Sequence, residues 1–284
     1  MSVEKAVHAS AWQGSRALVN SDKNRRFAWW YLAEYRVRHM RKWATAILIF
    51  GIGNPILYLF SIGLGIGALV DANSGGAGVD GVPYLTFLAP ALLASAAIQG
   101  AQDETVFPVM QGFIWDKGFF AVNSTPVSSR DIVHGVLTAA LIRTLITTAI
   151  YELVLLGFGG ITLANMLPMY VTAILAAMAY SCVMVGMAGY ASENGSFMEV
   201  VQRLIIFPMF MFSGTFYPIE TTPIYLQWFG WISPLWHATD LSRAISYGHS
   251  IEPWVLVVHI AYLALWAVVG LAIAYPKFAK RLSA

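Results

Sequence analysis

Residues 213–248, SGTFYPIETTPIYLQWFGWISPLWHATDLSRAISYG, decide the fold. They lie between two apolar runs, yet they hold three prolines (Pro218, Pro223, Pro234), a row of aromatics from Tyr225 to Trp236, and charges at Glu220, Asp240 and Arg243. That is too polar and too broken for a plain membrane span, and too apolar for a solvated loop. Irregular backbone of this kind is tolerated at membrane depth only where it is held against protein or a water-filled cavity. The chain around it is therefore expected to be an all-α membrane protein.

Composition points the same way. Of 284 residues, 58% are hydrophobic and 11% charged, and the mean hydropathy is +0.63, against roughly 25% charged residues in soluble domains. A net charge of +2 implies no nucleic-acid partner. Cys182 is the only cysteine and sits in an apolar run, so neither a disulfide framework nor a multi-cysteine metal site is available within one chain. Residues 1–26 contain no apolar core of the kind a signal peptide needs, so the N-terminus is expected to be retained.

Working outward from the broken stretch, six apolar runs are long enough to cross a bilayer: about 44–70, 84–107, 132–158, 167–190, 200–216 and 254–275. Asn54 and Pro55 interrupt the first, which predicts a kink there. The third contains His134, Arg143 and Glu152, and the fourth is rich in the small residues that let helices approach closely in lipid. Before the first span, within the N-terminal segment 1–43, NRRFAWWYLAEYRVRHMRKW places Trp29, Ala33, Val37 and Met40 on one side of a helix and Glu34, Arg38 and Arg41 on the other. This reads as an amphipathic helix lying along a membrane surface. Between spans two and three, residues 108–131 hold a short amphipathic centre around Phe113–Phe120, then Ser-Thr-Pro and Ser-Ser-Arg-Asp as a turn and a helix start.

The positions of the cations set the expected topology. Nine of the seventeen Lys and Arg precede the first span, two lie in 108–131 and three in the tail 277–284, while the Gly-rich loop 71–83 holds none. By the positive-inside rule both termini and the 108–131 loop are cytoplasmic, which requires an even number of spans. With six, the stretch 217–250 has to enter from the outer side and turn back, as a re-entrant helical hairpin. Asp240 and Arg243, three residues apart on one helix, are expected to pair and so to lower the cost of charge near lipid. Trp228, Trp231 and Trp236 suit interface depth, either as anchors or as substrate contacts.

Chemical motifs are sparse. The chain has no P-loop, no H-E-x-x-H and no G-x-S-x-G, and its six histidines show no metal-ligand spacing. No catalytic residue, metal or bound cofactor is expected. Glu152 is the only acid well inside a span, which is little for an ion-coupled carrier. Two other classes stay open at this point: a membrane-embedded lipid-modifying enzyme using His237, Asp240 and Arg243, and such an ion-coupled carrier.

The order of these features, and above all FSGTFYPI followed by SPLWHATDLSRA after the fifth run and STPVSSRDIV before the third, resembles the type-2 permeases of bacterial ABC exporters. Within them the chain is most similar to the nodulation-factor and daunorubicin exporter permeases. The resemblance implies a permease of the bacterial cytoplasmic membrane that pairs with a second permease chain. Two separate ATPase subunits, which bind ATP and Mg, would dock on the cytoplasmic loop and drive an amphipathic or lipid-linked substrate outward. It marks Trp115, Asp116, Lys117, Gly118, Phe119 and Phe120 as ATPase-coupling residues. Substrate-path candidates are Arg143, Asn54 and Gln99, with the three hairpin tryptophans on the outer side.

Overall fold

The computed structural model describes residues 25–191 and 196–283; the expectations for the basic residues before 25 and for the polar break at 192–195 lie outside it. Helix α1 (Ala28–Met40) passes through one 3-10 turn, Arg41–Trp43, straight into α2 (Ala44–Tyr58). Four residues after Asn54–Pro55 the ladder changes to π register over Leu59–Ile66, so that the Gly67 N–H reaches Ile62 O, five residues back. It then closes as α3 (Gly67–Asn73). Helix α4 (Tyr84–Thr105) leads through α5 (Phe107–Met110) and a π turn, Gln111–Trp115, to the short α6 (Gly118–Asn123). Then come α7 (Ser129–Gly157) and α8 (Leu163–Ala188). The next apolar run is helical from α9 (Ser196–Val201) through a π turn to α10 (Phe207–Phe212). The decisive stretch folds as α11 (Ile224–Trp231) and α12 (Pro234–Tyr247), and α13 (Pro253–Leu282) closes the chain. Among the described residues there is no β-strand, only a two-residue bridge between Val79 and Val82.

Five of these helical segments are long and apolar enough to cross a membrane: Ala28–Asn73, Tyr84–Trp115, Ser129–Gly157, Leu163–Ala188 and Pro253–Leu282. The α9–α10 run is shorter and stops at Ser213, whose hydroxyl turns back to the Met209 carbonyl and also bonds Ser233 Oγ at the foot of α12.

Local chemistry sets the ends. Ser128 and Asp131 form a reciprocal capping box at the start of α7, Asp131 N–H to Ser128 Oγ at 3.2 Å and Ser128 N–H to Asp131 Oδ2 at 2.9 Å. Ser233 caps α12 through the Leu235 N–H, Pro234 takes the first helical position, and Gly248 ends the helix with φ of +77°.

Helices α4, α7 and α8 form the core, with α12 against α4 and α8, and α13 against α8. In the most apolar window of the α4 segment 72% of residues are buried and in α8 67%, against 12% in Ala28–Asn73 and 17% in α13. The first and last helices are therefore the outer ones, and Ile49, Phe50, Leu57 and Phe60 stand exposed on the first.

The N-terminal helix differs from its expected form. It is continuous with the first long apolar helix, and its buried face is Ala28, Leu32, Ala33 and Arg36, laid on α7. The reason is Gly135, where an added Cβ would sit 2.8 Å from Leu32 Cβ and 2.9 Å from the Trp29 carbonyl; only glycine admits α1 this close.

Candidate functional site

Where α1, α4 and α7 meet, charged residues of three helices converge. The last turn of α4 has orphan carbonyls, as every helix end does, and Arg36 of α1 reaches one of them: its Nη2 donates to Glu104 O at 3.0 Å. The same guanidinium grips the Glu104 carboxylate, with Nη2 at 2.6 Å and Nε at 3.1 Å from Oε1. Both side chains are buried, 9% and 7% exposed, so each needs the other. From α7, Arg143 donates to Asp103 Oδ2 at 2.6 Å and lies 3.5 Å from Glu104 Oε2, while Gln99 holds the other Asp103 oxygen at 3.2 Å. The Arg143 Nε is buried and has no partner among the described residues.

Two adjoining cavities open from this cluster. One, of about 380 Å³, lies over Arg36, Glu104 and Arg143 with Tyr35 and Trp43 on its walls. The other, of about 580 Å³, is lined by Asn54, Gln99, Arg143, Phe50 and Tyr151. Trp43, Ile47, Asp103 and Arg143 belong to both. Volumes of this size accommodate small-molecule groups. Asn54, Gln99 and Arg143, far apart in sequence, are thus brought to one apolar-walled hollow with an ionic floor. Trp228, Trp231 and Trp236 are not among its lining residues.

Beyond this same end of α4 the chain turns back through the loop marked by Trp115–Phe120, whose Asp116, Gly118 and Phe119 also line the first cavity. Here Phe119 is buried, edge-on to Phe113 at 5.0 Å, and Phe113 in turn meets Phe278 of α13 at 4.8 Å. The Arg281 guanidinium lies 4.4 Å over the Phe113 ring and donates to Gly189 O at 2.9 Å. Residues 277–282, read from sequence as a tail, are helical and lock this corner. Phe119 is structural packing, Gly118 and Phe120 are half-buried, and the side chains presented outward are Trp115, 57% exposed, Asp116 and Lys117. Lys117 takes a left-handed conformation, φ +51°, which breaks the helix and throws this edge out.

On the hairpin, Asp240 and Arg243 do not pair with each other. Past the end of α10 the chain turns at Gly214, φ +67°, and leaves carbonyls without helical donors; Arg243 takes Gly214 O at 2.8 Å and Thr215 O at 3.5 Å. Its Nε donates to Phe87 O at 3.4 Å and its guanidinium lies 3.7 Å over the Phe87 ring. A buried guanidinium with five donors is better satisfied by several carbonyls and a π-face than by one neighbour on its own helix. Asp240 instead accepts from His259 Nε2 of α13 at 3.0 Å and lies 3.6 Å from His249 Nε2. His259 meets His237 at 2.7 Å between their Nδ1 atoms, and His237 Nε2 meets Trp231 O at 2.9 Å. His249 Nδ1 and Tyr247 OH both reach Asp80 Oδ2, at 2.5 and 2.9 Å. Three histidines that showed no ligand spacing in sequence are therefore joined through two aspartates, and Trp236 stands edge-on to two of them. Among the described residues no group of His, Cys, Asp and Glu is arranged to hold a metal.

The sequence has known relatives. Residues 28–247 match the ABC-2 type transporter family. The chain is 28% identical over 257 residues to Nodulation protein J of Rhizobium leguminosarum bv. viciae, covering 89% of this chain and 95% of that one. It is 27% identical over 257 residues, 89% and 94% of the two chains, to Nodulation protein J of Rhizobium meliloti. To that of Bradyrhizobium diazoefficiens it is 25% identical over 242 residues, 85% and 89%. The matched region runs from the start of α1 to the end of α12, taking in the charged floor, the outward edge of the loop and the hairpin; the chain belongs to the ABC-2 type transporter family, as a multi-pass membrane permease.

Proposed function

We propose that this chain is the transmembrane subunit of an ATP-driven exporter, paired with a second permease chain and moved by two separate ATPase subunits. The observation that carries this reading is the hollow between α1, α2, α4 and α7. It has apolar and aromatic walls, which suit an acyl or other lipid part, and an ionic floor at Arg36, Asp103, Glu104 and Arg143, which suits a polar head group. In this reading both termini and the 108–131 loop are cytoplasmic, the α9–α10 run is the fifth of six crossings, and the hairpin α11–α12 enters from the outer side. The cargo is an amphipathic or lipid-linked molecule: a glycolipid, a lipo-oligosaccharide, a lipid-linked polysaccharide or a hydrophobic drug. The exposed edge Trp115–Lys117 is the ATPase contact, and Phe119 holds that edge in place from behind.

Two results test it. Affinity purification of the chain from membranes at native levels should bring an ATPase subunit with it. Trp115→Ala should weaken that association roughly 30-fold, the loss of one buried interface tryptophan worth about 2 kcal/mol. Co-purification unaffected by Trp115→Ala would place the contact elsewhere, and activity of the chain without any ATPase would favour the enzyme or carrier reading. Arg143→Gln should lower ATP-driven export in proteoliposomes about tenfold, the equivalent of one charge-assisted hydrogen bond, with the assembled complex undiminished. Loss of complex in proportion to loss of export would make Arg143 a purely structural partner of Asp103.

A further inference from the structure

The hydrogen bonds among Asp240, His259 and His237 can be counted donor by donor. Trp231 O only accepts, so His237 Nε2 carries a hydrogen. An Asp240 carboxylate only accepts, so His259 Nε2 carries one as well. The contact between the two Nδ1 atoms, at 2.7 Å, needs a third. Two neutral imidazoles supply two. If the Asp240 carboxyl is itself the donor to His259, the third hydrogen sits on the carboxyl and the total is unchanged.

We infer that Asp240, His259 and His237 form a binding site for one proton, and that this proton latches the hairpin helix α12 to the long helix α13. With it bound the triad is electrically neutral, as a site 1% and 5% exposed at its two histidines requires. Without it, two nitrogen lone pairs face each other at hydrogen-bond distance.

The other charged groups nearby are Arg243, Asp80 and His249, and each has partners of its own. On α12, Arg243 is turned away to Gly214 and Thr215, and Tyr247 is bound to Asp80. On α13, Tyr262 stacks on the His237 ring at 3.9 Å and donates to Ile232 O. Trp231 faces the triad through its carbonyl alone, and Trp236 through its ring edge. His249, 28% exposed in its side chain and 3.6 Å from Asp240 Oδ1, is the route by which the site exchanges its proton with solvent; its other partner is Asp80 of the loop before α4.

The sign follows from where the proton is held. Above about pH 6.5, the ordinary histidine value, the unfolded chain's two imidazoles together hold less than the one proton the folded triad binds, so stability falls as pH rises through the folded-state value; below it they hold up to two, and stability falls again as pH drops. One proton per unfolding event changes the unfolding equilibrium by about tenfold per pH unit within that window.

Nitrogen and carboxyl-carbon NMR of chain labelled with ¹⁵N at histidine and ¹³C at aspartate, in bilayers and on a His249→Gln background that removes the solvent-facing imidazole, reads the site directly. At pH 8 it should show one doubly protonated imidazole, or neutral imidazoles beside a protonated Asp240 carboxyl. Singly protonated histidines with an ionised Asp240 would overturn the inference. As a second reading, the thermal midpoint followed from pH 7 to 9 should fall with rising pH, and His259→Gln and Asp240→Asn should flatten that slope. Variants that shift the midpoint equally at every pH would show packing and no proton site. Should the variants fail to fold, the spectrum of the His249→Gln chain alone decides.

Discussion

Glu104→Gln should destabilise the folded permease by about 3–5 kcal/mol, the cost of removing one partner from a buried ion pair. Arg36 and Glu104 are 8% and 5% exposed, and the guanidinium spends two of its donors on that carboxylate. The amide that replaces it keeps one acceptor oxygen but no charge, so Arg36 is left as a buried cation, and Arg143 loses its second acid. The effect is legible as a drop in the fraction of detergent-solubilised chain that stays monodisperse on heating. A companion variant separates charge from packing: Arg36→Met combined with Glu104→Gln removes both charges and should regain most of the loss, because an apolar side chain in place of a buried ion costs little. Stability equal to the parent in Glu104→Gln alone would mean that the pair is hydrated and unimportant.

Gly270→Ala should be a severely damaging methyl addition within a long helix. A Cβ there would lie 2.3 Å from the Cys182 carbonyl carbon and 2.4 Å from Val183 N, both backbone atoms of α8 that cannot rotate aside. Gly186 mirrors it from the other helix, its added Cβ meeting Ile273 Cγ2 at 3.0 Å and Ala274 N at 3.3 Å. The two glycines let α8 and α13 touch backbone to backbone, the device by which helices associate where lipid supplies no hydrophobic drive. Forcing them apart costs about 3 kcal/mol, at the upper end for overpacking. Gly53→Ala is the control, with nothing within 4 Å of the added atom and a gain in helix propensity. Equal thermal midpoints for the two alanine variants would sink the argument.

How much of this could be read beforehand depended on the range of the interaction. Long uncharged runs and the start of α7 were legible, because hydropathy and the Ser128–Asp131 box act over a few residues. The union of α1 with α2 was not: Arg41, Lys42 and Trp43 look like a boundary, but polarity reports depth in a membrane and says nothing about whether the backbone ladder continues. The Asp240–Arg243 pairing was inferred from spacing alone. It failed because the partners that win are 29 and 156 residues from Arg243 along the chain. Arg143 and Asp103, 40 apart, and His237 and His259, 22 apart, meet only through tertiary packing. In the loop after α4, amphipathicity located the aromatics but could not tell Trp115, which faces out, from Phe119, which faces Phe113 and Phe278, since the deciding ring lies at the other end of the chain.

The continuity of Ala28–Asn73 has a mechanical side. At about 1.5 Å per residue, 46 residues of helix make a rod of about 70 Å, longer than a bilayer is thick. An amphipathic segment joined by a flexible linker would absorb a push at its Ala28 end by swivelling on the surface. A continuous helix carries the same push as torque toward its far end, with Gly135 of α7 as the fulcrum and the 3-10 turn at Arg41–Trp43 and the π turn at Leu59–Ile66 as its irregular joints.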